Sequence, residues 1–191
     1  FVADNADDGG DFDGVSDEAI SCCVPNPYQA ERGYYLVTHQ TPVAARLAII
    51  DAINAGKLIV NYVGHAATST WASESLFSTT DIGSLANGTK LPIILPMTCY
   101  DGYFINPHVN SGHSLGESFV RASGKGAAAS WSGAAGWASA LLPRFPVAGA
   151  GLPACGGGAI GASKMKSELK RLTSVLHARF SAVPGPGPAA T

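Results

Sequence analysis

Two short apolar runs, each ending in a turn that carries a reactive side chain, constrain this chain most. The first is Lys57-Leu58-Ile59-Val60-Asn61-Tyr62-Val63, followed by Gly64-His65-Ala66. The second is Leu91-Pro92-Ile93-Ile94-Leu95-Pro96-Met97, followed by Thr98-Cys99-Tyr100-Asp101-Gly102. Short apolar runs bounded by turn signals suit strands buried on both faces of a parallel sheet. Ligands and catalytic groups of open α/β sheets gather beyond the carboxyl ends of such strands. Two neighbouring strands of this kind would bring an imidazole and a thiol to one rim, the geometry that a cysteine nucleophile with a histidine base needs.

The rest of the chain alternates strand and helix signals. Residues 4–17 are acidic and glycine-rich and read as a loop, with Ser16 capping a helix from Asp17 to about Cys23 that Pro25 and Pro27 end. Tyr34–Thr38 reads as a strand. Pro42–Ala55 has helical spacing of Val43, Leu47, Ile50 and Ile53, with Gly56 as its stop. Thr79–Leu85 reads as a short helix, Asn87-Gly88 as a turn, Ser114–Ser123 as a helix and Gly126–Trp131 as a small-residue strand. This alternation predicts an α/β fold with a mainly parallel sheet.

With 46% hydrophobic and 14% charged residues in 191, the chain fits one domain with a sizeable core. The character changes near residue 140, so the core is expected over 1–140. Residues 141–191 are expected to form a Gly/Ala/Pro-rich linker, a basic amphipathic helix over Lys164–Phe180 and a flexible tail. A net charge of −2 gives no footprint for nucleic acid or an anionic membrane. No apolar run reaches the roughly 18 residues of a membrane span. No signal peptide is recognisable, and Phe1-Val2-Ala3 reads as the end of a strand, as in a fragment or a processed chain. Oligomeric state is not legible.

The four cysteines, Cys22, Cys23, Cys99 and Cys155, lack CxxC spacing, which argues against a zinc or thioredoxin-type site. Cys22 and Cys23 are adjacent and are not expected to bridge, so at least one free thiol is expected. No cofactor or metal is called for. The carboxylates Asp4, Asp7, Asp8, Asp11 and Asp13 would suit structural calcium, but an EF-hand glutamate is missing and a solvated loop fits better.

The chain resembles the family C25 cysteine peptidases, the gingipain-like group of the caspase-like clan, from Phe1 to about Ala140. The resemblance is carried by Val2-Ala3-Asp4-Asn5, Ser16-Asp17, Asn61-Tyr62-Val63-Gly64-His65, Trp71 and Leu85-Ala86-Asn87. It continues through Leu91-Pro92, Cys99 with Gly102 and Phe104, Ser114-Leu115-Gly116-Glu117 and Gly136-Trp137-Ala138-Ser139. It implies a caspase-like three-layer sandwich, incomplete at its amino end, and an endopeptidase acting on peptides or proteins. By the same resemblance Cys99 is nucleophile, His65 general base, and the N–H groups of Ala66 and Cys99 the oxyanion hole. Asp17 would line an S1 pocket for basic P1 residues and Trp137 would close it. A secreted or cell-surface location is also implied.

Two positions depart from the family pattern. Ala66 replaces a glycine, and alanine does not readily take φ > 0. Ala6 falls where gingipains carry a glutamate behind the histidine, leaving Asp4, Asp7 or Asp8 as substitutes. An inactive peptidase-like module is therefore one alternative. Another is a serine esterase or lipase: Gly112-His113-Ser114-Leu115-Gly116 matches a GxSxG elbow with Ser114 as nucleophile. The polar, proline-containing stretch before it fits a buried strand poorly. Each site residue also has a plain role: His65 as a strand-end histidine, Cys99 as a buried inert thiol, Asp17 as a helix N-terminal charge, and Ser114 as a helix cap.

Overall fold

The computed structural model describes residues 1–105, 112–134 and 170. Five parallel strands form the main sheet in the order β2-β1-β3-β7-β8: β1 (Val2–Ala3), β2 (Gly33–Tyr34), β3 (Ile59–Val63), β7 (Ile93–Met97) and β8 (Ala129–Ser130). Strands β4 (Ala66–Ala67), β5 (Thr70–Trp71) and β6 (Phe77–Ser78) make a separate antiparallel sheet directly after β3. Helices α1 (Phe12–Cys23), α2 (Pro42–Ala55) and α3 (Leu115–Arg121) cover the main sheet.

The period of two along β3 and β7 sorts the core into two layers. Val60, Tyr62 and Ile94 face Ala45, Ile49 and Ile53 of α2 and Leu115 and Phe119 of α3. Val63 and Leu95 face Phe12, Ala19 and Cys23 of α1. The result is the expected three-layer sandwich. Each fully buried large side chain contributes about 1.5–3 kcal/mol of apolar burial.

Helix α2 forms where its local signals predict. The Thr41 side chain accepts from the Ala44 N–H at 3.2 Å, Pro42 stands in the first turn, and Gly56 ends the helix at φ 90°. Helix α1 corrects the sequence reading. It starts at Phe12, because the Asp11 side chain caps it by accepting from the Gly14 N–H at 3.0 Å. Ser16 is buried inside the helix rather than capping it. The strand expected over Tyr34–Thr38 also stops early. Thr38 Oγ1 accepts from the Tyr34 N–H at 2.6 Å and Leu36 turns to φ 60°, so the chain folds back on itself. The expected helix over Thr79–Leu85 shortens to one 3-10 turn, Asp81–Ser84.

The cysteines are a further correction. Cys22 and Cys23 bridge each other, with Cα atoms 3.8 Å apart as a trans peptide fixes them. Cys99 is also disulfide-bonded, and no cysteine among the described residues is free. Adjacency was no bar to bridging, because the ring closes through a single peptide unit. Apart from Lys170, the region 141–191 lies outside the described residues, as does Trp137.

Candidate active site

β3 and β7 are neighbours in parallel register, with Val63 opposite Met97. His65 and Cys99 each stand two residues beyond that pair, past adjacent carboxyl ends about 4.8 Å apart in the sheet direction. The two turns are tied together, since Thr98 Oγ1 donates to the Gly64 carbonyl at 2.6 Å. Gly64 is required here: a Cβ on it would overlap Asp4 Cβ and the Tyr62 hydroxyl.

His65 is held by backbone and ring. Its N–H donates to Asp4 Oδ2 at 3.3 Å, and its carbonyl accepts from the Tyr62 hydroxyl at 2.6 Å and the Ala72 N–H at 2.8 Å. Its Nε2 lies 3.0 Å from Asp7 Oδ2 and 3.3 Å from Oδ1. Phe12 meets the ring edge-on, centroids 5.2 Å apart. Asp4 is buried, which raises its carboxyl above the ordinary aspartate value even though the His65 and Asn5 N–H groups oppose the shift. Of the three acidic substitutes read from the sequence, Asp7 is the one against the ring and Asp4 the one that fixes the backbone.

The acidic loop thus has structural employment: Asp4 and Asp7 on His65, and Asp11 on α1. Among the described residues, no group of three or more His, Cys, Asp or Glu is arranged to hold a metal.

Ala66 opens β4 and does not take positive φ, so alanine is accommodated without strain. Ala72 donates to His65, making that opposed pair the hydrogen-bonded kind. The next pair, Ala66 with Trp71, is then the non-hydrogen-bonded kind. The Ala66 N–H therefore points away from β5. Cys99 is buried. Tyr100 after it takes φ 57°.

Asp17 lies on α1 and is paired within the chain. Its Oδ1 accepts from Arg32 Nε at 2.7 Å and the Tyr34 hydroxyl at 2.8 Å. Arg32 first, then Tyr34, holds its carboxyl below the ordinary value. Tyr34 belongs to β2, three strands from β7 in the sheet order.

Ser114 corrects the elbow reading. It is buried, has unstrained φ −63° and ψ 158°, and caps α3 by accepting from the Glu117 N–H at 3.3 Å. No strand precedes it among the residues described, 112 and 113. The nearby His113 pairs with Glu117 instead, 3.0 Å away. An elbow serine stands exposed at the tip of a strained strand-to-helix turn, and this one does not.

Sequence reasoning missed Asp101. It is fully buried, accepts from Trp71 Nε1 at 2.8 Å and from Ser132 Oγ at 2.8 Å, and burial pushes its carboxyl up to about 6. Asp101-Gly102 reads as an ordinary turn, and only the partner Trp71, 30 residues away, distinguishes it.

A parallel sheet between α1 on one face and α2 with α3 on the other, carrying its polar turns at the carboxyl ends, is a caspase-like fold. The sequence pattern of peptidase family C25 matches residues 1–145, and the chain belongs to that family of cysteine peptidases. A 57-residue stretch, 30% of this chain, is 42% identical to gingipain R2 and gingipain R1 of Porphyromonas gingivalis, covering 8% and 6% of those proteins. The crystal structure of the Arg-specific cysteine proteinase gingipain R matches with TM-score 0.51 and 27% identity, over 67% of this chain and 29% of that one. The complex of the P. gingivalis RgpB pro- and mature domains matches with TM-score 0.54 and 24% identity, over 70% of this chain and 32% of that one, and is similar in fold. The chain thus spans under a tenth of the curated relatives and about three tenths of the solved gingipain chain.

Proposed function

We propose that this chain carries the reacting part of a cysteine endopeptidase, with Cys99 as nucleophile and His65 as general base and acid. The reading rests on one observation above all, the register that pairs Val63 with Met97, after which His65 and Cys99 each follow by two residues. Because Cys99 is disulfide-bonded, an external thiol must first reduce that bond by exchange, becoming a disulfide itself as Cys99 is released as the thiol. His65 then assists loss of the thiol proton, and the thiolate attacks the scissile carbonyl. With Nε2 engaged by Asp7, Nδ1 is the ring nitrogen assigned to the proton transfer.

Attack forms a C–S bond and a tetrahedral oxyanion. The Ala66 N–H, pointing out of its hairpin, and the Cys99 N–H stabilise that charge, each such donor being worth about 3 kcal/mol. His65 returns the proton to the leaving amine as the C–N bond breaks. Water then hydrolyses the thioester and frees the thiol.

Specificity for basic P1 residues follows if Asp17 exchanges Arg32 for a substrate arginine in the same charge-assisted geometry, with Trp137 as the pocket wall. The arginine specificity named for gingipain R supports this assignment. Peptide and protein chains are the substrates. A secreted or cell-surface setting accords with the disulfides at Cys22, Cys23 and Cys99, which persist in oxidising compartments.

A second reading, an inactive module, is favoured by the burial and bonding of Cys99. One experiment decides between them. The reduced chain is assayed on Arg-, Lys- and Ala-P1 peptide anilides while iodoacetamide labelling of Cys99 is mapped by mass. Loss of turnover in step with Cys99 labelling supports the peptidase. No turnover in folded, reduced protein supports the inactive module. Loss of the Arg and Lys preference in Asp17→Asn supports its S1 role, and an unchanged preference removes it.

A further inference from the structure

Asp101 stands two residues beyond Cys99 in a fully buried position, where an ionised carboxyl is unfavourable unless well bonded. The proposed chemistry gives it no task. Its bonds nonetheless converge from separate parts of the fold. Trp71 Nε1 donates to Oδ1 and Ser132 Oγ to Oδ2, both at 2.8 Å. Ser132 Oγ in turn lies 2.5 Å from Ser130 Oγ. The Asp101 carbonyl accepts from the Gly116 N–H of α3 at 2.9 Å.

Trp71 links this anchor to the other half of the site. It lies directly opposite Ala66 in the β4–β5 pair. Its ring stacks on Tyr62, centroids 4.6 Å apart and planes 9° from parallel, and the Tyr62 hydroxyl donates to the His65 carbonyl. Between Cys99 and Asp101, Tyr100 takes φ 57°, a conformation that persists only where the surroundings fix it. Gly102 and Gly116 make room, since a Cβ on either would collide with Ser132.

We propose that Asp101 is a positioning residue: through the Trp71 indole N–H it locks the Cys99 turn to the arm carrying His65 and Ala66, and so sets the spacing of nucleophile, base and oxyanion donor. The inference rests on the Cys99–His65 reading. Burial pushes the carboxyl up to about 6, and in its ionised form the indole bond is charge-assisted.

The test uses the full chain, reduced, as Trp71→Phe, Asp101→Asn and Asp101→Leu, each checked for cooperative unfolding. Two readouts are taken: kcat and KM on an Arg-P1 peptide anilide, and the iodoacetamide alkylation rate at Cys99. Trp71→Phe and Asp101→Leu are expected to lower kcat about tenfold or more with KM within about threefold, and to slow alkylation about fivefold. Asp101→Asn keeps an oxygen that accepts from Trp71 and is expected to retain kcat within about threefold. A folded Trp71→Phe with wild-type kcat and alkylation rate overturns the proposal. Should Trp71→Phe fail to fold, equal kcat in Asp101→Asn and Asp101→Leu overturns it. If the wild type itself does not turn over, the peptidase reading falls and alkylation alone decides, equal rates in wild type and Trp71→Phe refuting the lock.

Discussion

The Asp7 carboxylate meets His65 Nε2 at 3.0 Å, from an acidic loop in which the sequence leaves Asp4, Asp7 and Asp8 equally open as partners of the histidine. Gly9 permits this approach, since a Cβ there would lie 2.7 Å from Nε2. Through this contact Asp7 fixes the orientation of the imidazole.

Asp7→Ala should therefore lower kcat about ten- to a hundredfold, within the range that general acid–base assistance supplies. Gly9→Ala should act similarly without removing the charge, by displacing the ring. Steady-state kinetics check both. Unchanged kcat in Asp7→Ala would leave Asp4, through the His65 backbone, as the sole orienting carboxylate.

In the reduced chain, Cys99→Ala should abolish turnover while keeping the fold, because there the residue contributes one small buried side chain. The oxidised wild type should be silent until dithiothreitol is added, as its sulfur is already bonded. Activity without reductant, or in Cys99→Ala, would refute Cys99 as nucleophile.

Asp101 should make stability fall as pH rises. Its folded-state carboxyl titrates near 6 against an ordinary value of 3.8, mainly through burial. The folded chain therefore holds a proton that the unfolded chain has released over that window. The contribution is fully present below about pH 4 and lost as pH passes 6, on the order of 3 kcal/mol. Asp4, also raised by burial, acts in the same direction. Asp101→Asn should be more stable than wild type at pH 8, with the gap closing toward pH 4.5 in urea titrations. Parallel curves for the two proteins would contradict this.

Gly64→Ala should destabilise the fold by about 1–3 kcal/mol or more, since the new methyl overlaps Asp4 and Tyr62, neither free to move. Urea midpoints check it. A midpoint within experimental error of wild type would mean that the β3 turn has slack the structure does not show.

Elements governed by neighbouring residues were legible. The Thr41 cap, Pro42 and Gly56 bound α2 within the chain's own local chemistry, and the apolar runs before His65 and Cys99 mark β3 and β7. The start of α1 was hidden because Asp11, among five nearby aspartates, looks no different from the residues around it until its side chain meets the Gly14 N–H. The β4–β6 sheet escaped notice because its strands are two residues long, too short for periodicity to register. The adjacent cysteines misled in the other direction: their closeness in sequence argued against the bridge they form.

The sequence by itself determined the alternating architecture, the family pattern, and the two turns that bear His65 and Cys99, because runs of apolar residues and capping signals act over a few positions. Only the tertiary structure decided which carboxylate faces His65, that Ser114 is a cap, that Asp17 is already paired with Arg32, and that Asp101 answers to Trp71. Those contacts join residues as much as 58 positions apart, and which partners meet depends on strand order and on how burial and charge balance when the layers close.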